Sequence, residues 1–229
     1  MKDLLTSFSI QVCEKLYLKD PESSELGKRI LKGSIDQIQE LGFEQFTFRK
    51  LASEIESTEA SIYRYFESKH KVLLYLTSWY WSWMEYRLVF QTANIPSPEE
   101  RLNIAIRLIT ENVDSDQVYP HINEAKLHQI VVSESTKAFM TKEVDQENKE
   151  GAFIQYKHFV GRISDLVKEI NTKYKYPHML ISTVIEGAHL QRHFAAHLPR
   201  LTDQIKGEDA VVDFYQDIVF KAIQKDQTS

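Results

Sequence analysis

Between Phe46 and Leu76 three hydroxyl residues, Thr47, Thr58 and Ser68, each stand immediately ahead of an apolar stripe of helical period. That spacing constrains the fold more than any other feature. The first backbone N–H groups of a helix lack intrahelical partners, and a Ser or Thr just before it supplies an acceptor. Phe48, Leu51, Ala52 and Ile55 follow Thr47 at i, i+3, i+4 and i+7, one face of a compact amphipathic helix. A turn at Glu56-Ser57 leads to Thr58. Ile62, Tyr65 and Phe66 then make an inward face and leave Glu59, Ala60, Tyr63 and Arg64 outward or flanking. Upstream, Leu26 to Leu41 carries Ile30, Ile35, Ile38 and Leu41 on one face, with Gly42 where a helix C-cap belongs. Residues 24–70 thus read as three short helices with a tight turn between the second and third. In such a helix-turn-helix, the second helix of the pair can enter a major groove.

The rest of the chain is helical too. Seven Gly and six Pro in 229 residues leave few tight turns, and strand-like alternation is scarce. An extra helix is expected over Leu4 to Leu18, from apolar residues at 4, 5, 8, 12 and 16. After Ser68 the helices lengthen: one past Trp83, one from Glu99 to about Val113, one over Ile122 to Ser133, one over 149–172, then Pro177 to Leu198 and Glu208 to Lys225. The expected organisation is an N-terminal extension (1–22), a three-helix domain (23–70) and a larger helical domain (71–229). Cys13 is the only cysteine, so no intrachain disulfide can form, which favours a reducing compartment. No signal peptide is read at the N-terminus. The most apolar window, Val72 to Phe90, is interrupted by Glu85 and Arg87 and falls short of a spanning helix. A cytoplasmic location without membrane association is expected.

Net charge is −5, which does not advertise a nucleic-acid binder. Leu26 to Tyr75, however, holds eight Lys/Arg against seven Asp/Glu, so this segment is +1 and the remainder −6. Thr47, Thr58 and Ser68 stand at helix starts, where hydroxyls and backbone N–H groups can meet phosphates. Arg49, Lys50, Arg64 and Lys69 add positive charge nearby.

The run from Ile30 to Leu73 resembles the N-terminal domain of the TetR family of transcriptional regulators. Ile30-Leu31 opens the first helix, Leu41-Gly42-Phe43 breaks it, Thr47-Phe48-Arg49 precedes Leu51-Ala52, and Ser61-Ile62-Tyr63-x-Tyr65-Phe66-x-Ser68-Lys69 closes the motif. The resemblance covers about a fifth of the chain. It implies an all-α homodimer that binds a palindromic double-stranded DNA operator and, in its larger domain, senses an unidentified small-molecule effector; repression is implied over activation. By the same resemblance, Thr47, Tyr63 and Lys69 contact backbone phosphates, and Thr58, Glu59, Ala60, Ser61 and Arg64 read bases. The sequence departs from the family pattern at Glu56-Ser57, where Gly and a small apolar residue are usual. If that turn is left-handed, a non-glycine residue costs on the order of 1–2 kcal/mol. Glu59 also places a negative charge at the start of the reading helix, repelled by phosphates unless it accepts from a cytosine amino group. These departures keep a second reading open: a helical ligand- or protein-binding dimer with weakened or lost DNA binding.

In the last helix Val211, Phe214, Ile218 and Ala222 form one stripe, widened by Val212, Val219 and Ile223. Apolar surface that wide exceeds one core contact; it suits either a four-helix dimer interface or burial within the monomer. Trp79, Trp83 and Tyr86 share a face, with His128 and Tyr156 as polar lining; they either line an effector pocket or form ordinary core. His189, His193 and His197 recur every fourth residue, and Glu186…His189 and Glu67…His70 both have E-x-x-H spacing. The second copy straddles the break at Ser68, no cysteines assist, and two further Glu are missing. The three histidines are therefore expected as partly exposed polar residues, and no metal or cofactor is expected. Without a nucleophile elbow, phosphate-cradling Gly-rich loop or Ser/His/Asp set, no catalytic residue is assigned.

Overall fold

Side-chain caps and apolar stripes set the helix ends of the computed structural model, which describes residues 10–113 and 119–224. Eleven α-helices and no strand occur among the described residues: α1 Glu25–Leu41, α2 Phe48–Glu54, α3 Glu59–Tyr63, α4 Lys69–Thr92, α5 Pro98–Thr110, α6 Glu124–Glu134, α7 Thr136–Phe139, α8 Val144–Glu150, α9 Ile154–Ile170, α10 Pro177–His197 and α11 Ala210–Ile223. None of the described helices is long and apolar enough to cross a membrane. Contacts divide the chain into two units. Residues 1–83 and 113–156 form one; 84–112 and 157–229 form the other. This division differs from the sequence-based boundary near residue 70, because α6 to α8 cluster with the first three helices.

In the first unit, Ile30, Leu31 and Ile35 of α1 are buried along with Phe46, Leu51, Ile62 and Phe66, all with 1% exposure or less. Burying each such side chain contributes about 2 kcal/mol, the usual scale for a core aliphatic or aromatic residue. Helix α1 crosses α2 closely at Gly33, where an added Cβ would lie 2.8 Å from both Leu51 and Ile55 side chains. Helix α6 packs along α1, and polar pairs mark the contact. Asp36 bonds to Lys32 at 2.8 Å and to Lys126. Burial alone would raise the Asp36 carboxyl, but the hydrogen bonds from Lys126 and Lys32 outweigh it and hold the group below its usual range. Buried Glu134 accepts the Phe43 N–H at 3.1 Å and pairs with Lys137 at 2.8 Å.

In the second unit α5, α10 and α11 pack together. Arg192 of α10 donates from Nε to the Thr110 carbonyl at the end of α5 (2.9 Å). It also reaches both carboxylate oxygens of Asp209, the N-cap of α11, at 2.8 and 2.7 Å. The Asp209 carboxyl, raised by burial, is drawn lower overall by that guanidinium.

Several sequence-based expectations are corrected here. The helix expected over Leu4 to Leu18 is not α-helical across residues 10–18, where the chain makes only a 3-10 turn at Glu14–Leu16; residues 1–9 lie outside the described residues. Residues 114–118, between the helix expected to end near Val113 and the one expected from Ile122, also lie outside them. The long helix expected over 149–172 is split by Gly151 (φ +95°) into the end of α8 and α9. His189 is not partly exposed but 4% exposed, and burial pushes its pKa down to about 4. In α11 the buried stripe is Val211, Val212, Tyr215, Val219 and Ile223. Val211 therefore belongs to the core, whereas Phe214, Ile218 and Ala222 remain exposed.

Candidate nucleic-acid interface

Helix α2 starts where Thr47, in extended backbone, accepts the Lys50 N–H on its Oγ1 (3.3 Å). It stops by a left-handed turn. Glu56 has φ +49°, and the Ser57 N–H reaches back to the Ala52 carbonyl at 2.9 Å, closing a Schellman-type end. The Arg29 guanidinium meets another free carbonyl, that of Ile55, at 3.1 Å. Thr58 then caps α3, accepting the Ser61 N–H at 3.2 Å while its hydroxyl shares a 2.9 Å hydrogen bond with that of Ser61.

Helix α3 is five residues long and could not persist alone. Ile62 and Phe66 at 0% and Tyr65 at 3% exposure hold it to the core. Its other face is open: Glu59, Ala60, Tyr63 and Arg64 are exposed, with Ser61 half-buried. Tyr63 lies edge-on to Phe48 at 4.9 Å between ring centroids and remains 50% exposed. Arg49 and Lys50 of α2 are exposed, so the expected outward set is brought onto the α2–α3 pair.

Two cations are more committed than the sequence suggests. The Lys69 ammonium donates to the Phe43 and Glu44 carbonyls, both at 3.0 Å, and sits 4.7 Å over the Phe43 ring. Two of its three protons thus hold the α1–α2 connection. Lys50 Nζ donates to the Gln45 carbonyl at 2.9 Å. Arg49 and Arg64 make no hydrogen bond or ion pair among the described residues, which leaves their charge on the outer face.

Sequence reasoning missed the brace behind α3. Residues 18–24 run along it: the Leu18 N–H donates to the Tyr65 carbonyl at 2.8 Å, Lys19 stands 5.0 Å over the Tyr65 ring, and the Ser24 and Tyr65 hydroxyls are 2.7 Å apart. The Ser24 hydrogen bond, opposed by burial and assisted by Lys19, draws the Tyr65 phenol below its usual pKa. The signal available in the sequence was Ser24, the cap of α1, which accepts the Gly27 N–H.

The aromatic candidates for an effector pocket are mostly interior. Trp79 and Trp83, 1% and 3% exposed, stack at 6.3 Å, and the Tyr80 hydroxyl meets His128 Nδ1 at 2.8 Å. Tyr156 stacks on Trp81 at 4.3 Å; Tyr86 belongs to the second unit, where it stacks on Phe90. Described surface cavities are lined by other residues: one of about 430 Å³ by Lys32, Asp36, His121 and Lys126, and one of about 640 Å³ by Leu201, Ile205 and Phe214. The histidine ladder does not converge, since His189 is buried while His193 and His197 lie beside each other at 4.7 Å toward solvent. His70 pairs with Glu147 at 3.0 Å, and no cluster of three metal-binding side chains occurs among the described residues.

A short helix with an open polar face, held by a second short helix and an apolar core, defines a helix-turn-helix head on an all-helical body. Residues 30–76 match the N-terminal model of the tetR family of bacterial regulatory proteins, and the chain carries that family's N-terminal domain. No curated protein sequence matches the chain. Among solved structures, AibR in complex with isovaleryl coenzyme A and operator DNA is similar at 14% identity and TM-score 0.55, covering 84% of this chain and 95% of that one. The superantigen PfiT is similar at 17% identity and TM-score 0.56, covering 89% and 97%. At these identities the likeness is one of fold.

Proposed function

We propose that the chain is a ligand-responsive, DNA-binding transcriptional regulator, acting as a repressor on a palindromic operator as a homodimer. The observation that carries this reading is the outward set on α2 and α3: Thr47, Arg49, Lys50, Ala60, Tyr63 and Arg64 all exposed over a rigid apolar base, inside the segment that matches the family model. A reading head needs that combination, because the duplex is met by groups whose positions are set before binding. The neighbour AibR was captured in complex with isovaleryl coenzyme A and operator DNA, which supports a fold able to hold a small molecule and DNA together.

Dimerisation is supported by the uncovered apolar stripe Phe214, Ile218 and Ala222 on α11, together with Met179 and Leu190 of α10, which are 67% and 54% exposed. Pairing these helices with their twofold mates would remove that surface from water. The effector acts by favouring one spacing of the two heads over another, which requires different affinities for the two arrangements.

The test is selection of bound duplexes from a random pool, followed by affinity against salt for the winner. A two-half-site palindrome is expected, with affinity falling steeply as salt rises and lost in Tyr63→Ala. The second reading, a helical ligand- or protein-binding dimer with weakened or lost DNA binding, is favoured by the exposed carboxylates of Glu56 and Glu59. A folded dimer that enriches no sequence at low salt would establish it instead.

A further inference from the structure

We propose, resting on the DNA-binding reading above, that Glu59 is a specificity-determining residue that requires a cytosine amino group in each operator half-site. Glu59 is the first residue of α3, and the opening residues of the second helix in such a pair meet base edges in the major groove. The four residues that open this helix differ in what they have left to offer. Thr58 and Ser61 share one hydroxyl hydrogen bond and Thr58 also accepts the cap N–H, which leaves them neutral groups of reduced capacity, and Ala60 has no polar group. The Glu59 carboxylate is exposed and makes no hydrogen bond or ion pair among the described residues.

A carboxylate only accepts hydrogen bonds. In a groove walled by phosphates and acceptor atoms, only the amino groups, cytosine N4 and adenine N6, can donate to it. Adenine sets its N7 acceptor beside N6 on the same base, which opposes a carboxylate and suits an amide. Cytosine presents its amino group with no such neighbour. Glu59 therefore discriminates mainly by penalty: at any base pair without cytosine in that place, the charge enters the groove uncompensated. Arg49 and Arg64, both without internal partners among the described residues, supply attraction that does not depend on that base. A head of net charge +1 with such a filter trades general affinity for stringency.

The experiment is random-duplex selection with the full-length wild type, Glu59→Gln and Glu59→Ala, each confirmed folded by its thermal transition, followed by titrations at one salt concentration. Wild type should enrich a palindrome with cytosine fixed at one symmetric position. Replacing that C·G pair should weaken its binding by roughly 5- to 150-fold, the usual range for one mismatched pair. Glu59→Gln should move the preference at that position to adenine, which a carboxamide can bind on N6 and N7. Glu59→Ala should flatten that position alone and bind the substituted duplex more tightly than wild type does. If wild type enriches a palindrome while both variants keep its preferences at every position, Glu59 reads no base and the inference falls, with the DNA-binding reading intact. If wild type enriches nothing, both fall.

Discussion

Replacing Glu56 by glycine should stabilise the protein. Glu56 holds φ +49° at the end of α2, and the 2.9 Å bond from the Ser57 N–H to the Ala52 carbonyl depends on that conformation. A residue with a Cβ costs roughly 1–2 kcal/mol in the left-handed region. Glycine avoids that cost but loses about 0.5–1 kcal/mol more chain entropy on folding. Removing a negative charge from a helix C-terminus returns about 0.3 kcal/mol or slightly more. The net expectation for Glu56→Gly is stabilisation of about 1 kcal/mol, or a rise in Tm of about 2–4 °C for a chain of this length. Glu56→Ala and Glu56→Gln both remove the charge and keep the strain, so they separate the contributions. Thermal and chemical denaturation of the four proteins would measure the difference. Glycine should exceed alanine by about 0.7 kcal/mol, because both variants lose the charge but an alanine at positive φ keeps the penalty that glycine escapes. A Glu56→Gly protein no more stable than Glu56→Ala would refute strain at this turn.

Further outcomes follow from the second unit. The folded pKa of His189, about 4, lies below an unfolded value of about 6.5, so the unfolded chain binds the extra proton between those limits. Stability should therefore fall as pH drops from 6.5 towards 4, by about 3 kcal/mol in all, and His189→Gln should remove that part of the acid dependence in denaturation curves measured across the range. Arg192→Ala should cost about 1–2 kcal/mol, discounted for the exposure of Asp209, by stranding the Thr110 carbonyl and the Asp209 carboxylate; Asp209→Asn should cost less, because its amide oxygen can still meet the guanidinium. Phe214→Glu combined with Ile218→Glu should yield a folded monomer by sedimentation, since both residues are exposed; a persistent dimer would remove α11 from the interface.

Much of the head was legible because its signals are local. A hydroxyl that accepts an N–H three residues on acts within one turn, so Thr47, Thr58 and Ser68 mark helix starts whatever lies beyond them. The period of α3 likewise separates Ile62, Tyr65 and Phe66 from Glu59 and Tyr63, and Gly42, with φ +78°, closes α1 where the apolar period ends. The brace along Tyr65 was not legible, because Leu18 and Lys19 meet it only through pairings more than forty residues apart in the chain.

The amino-acid sequence by itself determined the all-helical class, the three short helices of the head and the outward side of α3, since backbone hydrogen bonding and a 3.6-residue period act within a few residues. Tertiary structure alone decided which apolar residues of α11 are covered: Val212, Val219 and Ile223 are buried where the helix packs against α5 and α10, and Phe214 and Ile218 stay exposed. It also buried His189 and turned the Lys69 ammonium back onto the Phe43 and Glu44 carbonyls. In each case the deciding partner comes from another element, and no local period records where that element will lie.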